Sequence, residues 1–232
     1  MTPLKIVREA REKRLALIAI TDHNSAENVS ATMAAARNTG LSVIPGLEIT
    51  TLEEVHVVGL FQDPQEALSM QALVYDKLQA GVNDEDLFGM QVVANEHDEV
   101  ERINRRLLIG ATALGLNEAV AAIHERGGLA VAAHIDRESF SIVSQLGFIP
   151  EDLGLDAVEI SSRLTLGEAR ARYGEYARFP FIASSDAHEL EQIGSNPTHF
   201  RIAQANMAEL KMALTGREGR AILVAPGPPQ ES

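Results

Sequence analysis

Histidines and carboxylates recur in this chain at one kind of place, the point where an apolar run stops. Leu15–Thr21 ends in Asp22-His23, the run through Pro45-Gly46 leads into Glu48, Leu129–Ala133 ends in His134, and Phe179–Ser184 leads into Asp186 and His188. Imidazole nitrogens and carboxylate oxygens form the ligand set that suits zinc, manganese or iron. Cysteine is absent, so no thiolate can contribute and no disulfide can form. Any one such residue also fits a hydrogen-bonded polar group at a strand end. Repetition of the pattern points instead to a metal site at one mouth of an α/β barrel, where buried strands release their last residues into a shared cup. Asp186 and His188 stand two apart, so an extended backbone sends both to one side. No HExxH helix is present, and the site must be assembled by the fold.

The elements that position these groups follow from periodicity. Thr2 caps and Pro3 opens a first helix, a strand covers Leu15–Thr21, and Ser25 or Asn24 caps a helix over Ala26–Asn38 that Gly40 stops. A strand at Leu41–Ile44 follows, which gives the rhythm of a parallel sheet. Leu47–Phe61 breaks it with two short strand-like runs around Leu52. A hairpin centred there sets Glu48 opposite His56, Cβ atoms about 5 Å apart; a surface Glu–His pair is the alternative. Helices are expected over Asp63–Ala80, Arg102–Leu114 and Asn117–Arg126, with Gly81–Glu101 irregular between the first two. Further on, strands at Leu129–Ala133, Leu155–Ile160 and Phe179–Ser184 alternate with helices over Ser139–Leu146 and Leu166–Ala177. A helix over Asn206–Thr215 and a strand over Arg220–Val224 close a single domain, residues 1–224, before a loose tail, 225–232. His97, in a run of polar residues, and His124, near a helix C-terminus, are assigned no chemistry.

Composition narrows the partners. The formal net charge is −13, so there is no basic excess to neutralise a nucleic-acid backbone or an anionic membrane, and neither is expected as a partner. A local cation can still hold one phosphate. Arg137, three residues past His134, is the candidate for that role through a forked pair of hydrogen bonds, and Arg163 at another strand end is the second. A surface ion pair is the alternative for both. The N-terminus has no apolar signal core and no run is long enough to span a bilayer, so a cytoplasmic location is expected.

In Thr21-Asp22-His23, Pro45-Gly46-Leu47-Glu48 followed by His56, Ala133-His134 and Ser185-Asp186-Ala187-His188, the chain resembles the PHP (polymerase and histidinol phosphatase) family. The four motifs stand in family order from near residue 1 to about residue 200. The resemblance implies a distorted (β/α)7 barrel with two or three divalent metal ions at its C-terminal mouth, and hydrolysis of a small phosphorylated metabolite or nucleotide by metal-activated water. By position it makes His23, Glu48, His56, His134, Asp186 and His188 metal ligands. It makes Asp22 the catalytic-site carboxylate that orients one of them. Family members open on a strand carrying H-x-H, which is not found here. The barrel is therefore expected to lack its first strand and up to three ligands, leaving Leu15–Thr21 as an open sheet edge. The alternative function is a weakened or non-catalytic metal- and phosphate-binding remnant.

Overall fold

The structure, a computed structural model, describes residues 1–223. Short apolar runs rich in Val, Ile and Ala alternate with helices that are apolar on one face, and this alternation builds a sheet with helices packed outside it. The order is α1 (Pro3–Glu12), β1 (Leu17–Ile20), α2 (Val29–Ala35), β2 (Ser42–Thr50), β3 (His56–Leu60) and α3 (Pro64–Lys77). Then come α4 (Glu85–Phe88), β4 (Val92–Ala94), β5 (Val100–Ile103), α5 (Leu116–Glu125), β6 (Leu129–Ala132) and α6 (Ile142–Leu146). The last part holds β7 (Ala157–Ile160), α7 (Leu166–Arg172), β8 (Phe181–Ala183), β9 (His199–Arg201), α8 (Met207–Leu214) and β10 (Ala221–Leu223). The expected tail, 225–232, and Val224 lie outside the described residues.

Six strands form one sheet in the order β1-β2-β3-β6-β7-β8, curled into a half-barrel. β1 pairs parallel with β2, β6 with β7 and β7 with β8. β3 runs antiparallel to both β2 and β6, so one reversed strand interrupts a parallel sheet. The expected α/β architecture is what is seen, with β1 at one edge of the sheet and β8 at the other.

The inner strands of the sheet are buried on both faces because they are apolar at nearly every position, whereas the edge strand β1 is only partly buried, with Ala19 exposed. One face, with Val57, Ala130, Ala132, Val158 and Ile160, meets α3, α5 and α7 through Met70, Val74, Ile123 and Ala169. The concave face, with Ile44, Val58, Leu60, Val131 and Ala157, is filled by Met207 and Leu210 of α8. Each fully buried aliphatic side chain here is worth about 2 kcal/mol. Helix α8 is held over that face by Arg220, whose Nε and Nη2 donate to Glu209 Oε2 at 2.9 Å and Oε1 at 2.8 Å.

Four local expectations are corrected. β2 is one nine-residue strand that runs straight through Pro45-Gly46; Pro45 is tolerated because its carbonyl, not the N–H it lacks, serves the ladder by accepting from Phe61 N. Arg102–Leu114 is not a helix. After β5 its backbone is drawn into extended bridges, Val82 with Arg106 and Leu78 with Thr112, and Asn24 Nδ2 donates to the carbonyls of Leu108 and Gly110 at 2.8 Å each. These partners replace helical bonds despite the helix-like spacing of Ile103, Leu107 and Leu114. Asn24 is therefore no helix cap. It is fully buried, and its Oδ1 accepts from Thr50 N at 3.2 Å. Thr2 does precede Pro3 as the N-terminal residue of α1, but its hydroxyl makes no capping bond; Asp98 Oδ1 accepts from Leu4 N at 2.7 Å instead.

Candidate metal centre

Glu48 lies on the concave side of β2, paired with Val58, while His56 pairs with Thr50. The hairpin therefore turns one residue later than expected, about Glu53. Thr51 N donates to Val55 O, and Glu54 takes up a left-handed φ of 58° to close the loop. Glu48 and His56 are consequently diagonal rather than opposite. They remain on one face, and diagonal neighbours still meet when one side chain is long: His56 Nδ1 is 3.3 Å from Glu48 Oε1.

Glycine at position 46 makes this geometry possible. A Cβ there would fall 2.7 Å from the carbonyl oxygen of Gly59 and 3.0 Å from Thr21 Cγ2. β1 delivers His23 to the same point, because Asp22 O accepts from Glu48 N and Asn24 N donates to Glu48 O. His23 Nδ1 then lies 2.9 Å from Glu48 Oε2. His134, just past β6, brings Nε2 to 3.5 Å from Glu48 Oε1 and 3.3 Å from His56 Nδ1. It does so at a φ of 30°, and Asp186 has a φ of 44°. Such angles cost energy in a non-glycine residue and cluster at functional sites.

The electrostatics of Glu48 are those of a carboxylate that stays ionised. Burial alone would raise its pKa, but contacts with His134, His23 and His56 hold it well below the usual carboxylate range. Burial alone would lower the pKa of His23, and the Glu48 carboxylate, with Asp186 and Asp22 nearby, raises it instead. The His23–Glu48 contact lacks the alignment of a hydrogen bond, and His56 Nε2 and His134 Nδ1 are buried with no partner. His56 Nδ1 and His134 Nε2 share a hydrogen bond at 3.3 Å, but the three contacts with Glu48, at 2.9–3.5 Å, lack aligned protons, which fits a cation held between them. Ligand atoms of His23, Glu48 and His56 all lie within 4.8 Å of one another.

Asp186 and His188 stand at the rim. The His188 ring centroid is 5.8 Å from that of His23, so both open on the same mouth, but His188 is largely exposed. Asp186 Oδ2 is 2.6 Å from Arg137 Nη2, which places the expected phosphate-binding arginine against an expected metal ligand. The Asp22 carboxylate accepts from Asn28 Nδ2 at 3.3 Å and makes no hydrogen bond to a candidate histidine among the described residues, though its charge acts on His23 beside it. The Arg163 side chain is exposed and makes no ion pair among the described residues. Two residues near the centre were not singled out in the sequence. Phe140, at a φ of 56°, stacks its ring on His56 with centroids 4.7 Å apart. Glu159 of β7 is buried on the concave face; loss of solvent pushes its carboxyl up to about 7, against the pull of Ser184 and with the charge of Glu48 adding. The signal for Glu159 was a lone charge inside the otherwise apolar strand Ala157–Ile160.

Among solved structures, a lesion-specific endonuclease Q from Pyrococcus furiosus superimposes over 96% of this chain and 53% of its own, with a TM-score of 0.72 and 16% identity. A protein assigned as a metal-dependent phosphoesterase, from Bifidobacterium adolescentis, matches over 84% of this chain and 86% of its own, with a TM-score of 0.59 and 21% identity. The chain has the PHP-type fold. Residues 168–219 also match the family model described as PHP-associated. A curated relative, uncharacterized protein YqxK of Bacillus subtilis, is 29% identical over 106 residues, 44% of this chain and 27% of its own. The chain thus spans about half the length of the endonuclease Q chain and aligns with about a quarter of YqxK.

One expectation about partners is overturned. Endonuclease Q has been solved with a 27-mer duplex bearing an abasic lesion at its active site, at a TM-score of 0.69 to this chain. A protein that shares this fold over about half of its own length thus binds a duplex, and a net charge of −13 is no ground for excluding nucleic acid. Net charge averages the whole surface, whereas phosphates are met locally by a few cations. Among the described residues no helix is long and apolar enough to cross a membrane.

Proposed function

We propose that this chain is a metal-dependent phosphoester hydrolase whose substrates include nucleotides or nucleic acid. The convergence of His23, Glu48, His56 and His134 on one point at the C-terminal mouth of the sheet carries this reading. These four residues would hold a divalent cation, with Asp186 and His188 completing the set from the rim. A metal in that position supplies Lewis acidity, offsetting charge on the phosphoryl oxygens and lowering the pKa of a water. The protein's part is positioning. Glu48 stays ionised between three imidazoles. Arg137 stands beside the ligand set, paired with Asp186; released from it, Arg137 presents a planar fork to two phosphate oxygens. Asp22, next to His23 in the chain, adds its negative charge at the mouth of the site. Water adds to phosphorus, the P–O bond to the organic half breaks, and the departing oxygen takes up a proton. Likeness to endonuclease Q over nearly the whole chain supports a phosphodiester among the substrates.

The test is hydrolysis of an aryl phosphate, a bis-aryl phosphate and a duplex with an abasic site by protein loaded with manganese or zinc, beside Glu48→Gln. Turnover lost on Glu48→Gln together with bound metal supports the proposal. Stoichiometric metal without turnover on any ester would leave the non-catalytic alternative.

A further inference from the structure

A cavity of about 320 Å³ opens beside the candidate metal centre, with His23 and His188 in one wall. At about 30 Å³ per water it holds roughly ten waters, the lower end of the range for ligand pockets. The opposite wall comes from the segment between α3 and α5, through Phe88, Val92, Leu108 and Ile109. Phe88 is 54% exposed and Ile109 is 38% exposed, so the core gains little from burying either. Exposed apolar side chains gathered around a concave site next to reactive groups mark ligand contact. A smaller cavity of about 240 Å³, lined by Glu27, Glu96 and Glu101, touches no candidate ligand.

The polar lining narrows the ligand. Among the described residues no Lys or Arg side chain lines the larger cavity; Asp22 and Glu27 do, Glu27 already paired with Arg102 Nη2 at 2.7 Å. The amide nitrogens that line it are all committed to protein oxygens: Asn28 to Val92 O, Gln91 to the carbonyls of Asn104 and Arg106, and Asn104 to Glu27 and Tyr75. Of the other donors in the lining, His23 and His188 belong to the side of the candidate metal centre, and the Met1 amino group lies near Asp22. Away from them the cavity offers a ligand chiefly an apolar wall, and a carboxylate or sulfate set against Phe88, Val92, Leu108 and Ile109 would lose its hydration with no donor there to replace it. Resting on the phosphoesterase reading above, we infer that this cavity is the subsite for the organic half of the ester, and that this half is an uncharged planar ring. The phosphoryl group then lies between the histidines and Arg137, which is not part of the cavity.

Two measurements test the inference, and they fail separately from the function itself. The first is binding of 1-naphthylmethylphosphonate, which has the ring and the anion but no hydrolysable ester, followed by naphthyl fluorescence. The chain contains no Trp, so the background is low. Binding should be at least tenfold tighter than that of methylphosphonate in competition, and Phe88→Ala should remove roughly tenfold. The second is the ratio of kcat/KM for 1-naphthyl phosphate over 4-carboxyphenyl phosphate, compared between the native protein and Ile109→Lys. Comparing ratios cancels the intrinsic reactivity of each ester. The added cation should lower the ratio at least tenfold. Equal affinity for the two phosphonates in the native protein, or a ratio unmoved by Ile109→Lys, overturns the inference. If no ester is hydrolysed at all, the phosphoesterase reading falls while the phosphonate measurement still decides the cavity.

Discussion

Replacing Glu159 by Gln in the metal-free protein should make it more stable, and more so as the pH rises. The folded carboxyl ionises near pH 7, against an ordinary value of 4.5. Loss of solvent is the main cause, with Glu48 and Asp186 adding repulsion and Ser184 and His134 opposing it. Between pH 4.5 and 7 the folded chain therefore keeps a proton that the unfolded chain has lost. Stability falls with rising pH wherever the folded state binds more protons. From pH 5 to pH 8 the native chain should lose about 2.5 kcal/mol relative to Glu159→Gln, a shape-preserving change without the charge. Urea unfolding at several pH values measures this. With a slope of about 2–3 kcal/mol per molar, the two midpoints should diverge by about 1 M over that range. Other titrating groups, including His23, cancel in the difference. Parallel pH profiles for the two proteins, or a variant that becomes relatively less stable at pH 8, would refute the argument.

Glu48→Gln should keep the fold and weaken divalent-metal affinity at least tenfold, as read by titration calorimetry; unchanged metal stoichiometry and affinity count against Glu48 as a ligand. Arg137→Ala removes the partner of Asp186 but no ligand, so metal content should hold while KM for phosphate esters rises about tenfold or more; an unmoved KM makes Arg137 only a partner of Asp186. Gly46→Ala drives a Cβ against the Gly59 carbonyl and should cost about 2 kcal/mol, displacing Glu48 and lowering metal affinity with it; a variant as stable as the native chain would show that the strand pair can spread at no cost.

Much of this was legible in the sequence because strand ends announce themselves. His23, His134 and Asp186 each follow a short apolar run rich in branched residues and alanine, which is too short for a helix and reads as a strand. The hairpin was legible as a hairpin but not in register. Its loop closes through Glu54 in a left-handed conformation, and a glutamate does not signal that geometry as glycine or asparagine would. Arg102–Leu114 failed for a different reason. Its apolar spacing fits a helix, but the fully buried amide of Asn24, some eighty residues earlier, and strand-like bridges claim its backbone. A partner so distant in sequence cannot be read from local pattern. The same holds for Asp98, which caps α1 from across the chain. Glu159 was visible as a lone charge in an apolar strand, yet only the curl of the sheet shows that it faces the candidate metal centre.

The tight β2–β3 hairpin has a consequence for how the centre comes together during folding. Glu48 and His56 are joined by a loop of a few residues, and hairpins of this kind close in about 1–10 μs. His134 must be carried in from 78 residues beyond His56, and Asp186 from further still. Loop-closure entropy penalises those later arrivals. The first half of the ligand set is thus local, and the second depends on the completed sheet. Substitutions within residues 46–60 should slow folding, whereas those in β7 and β8 should mainly speed unfolding.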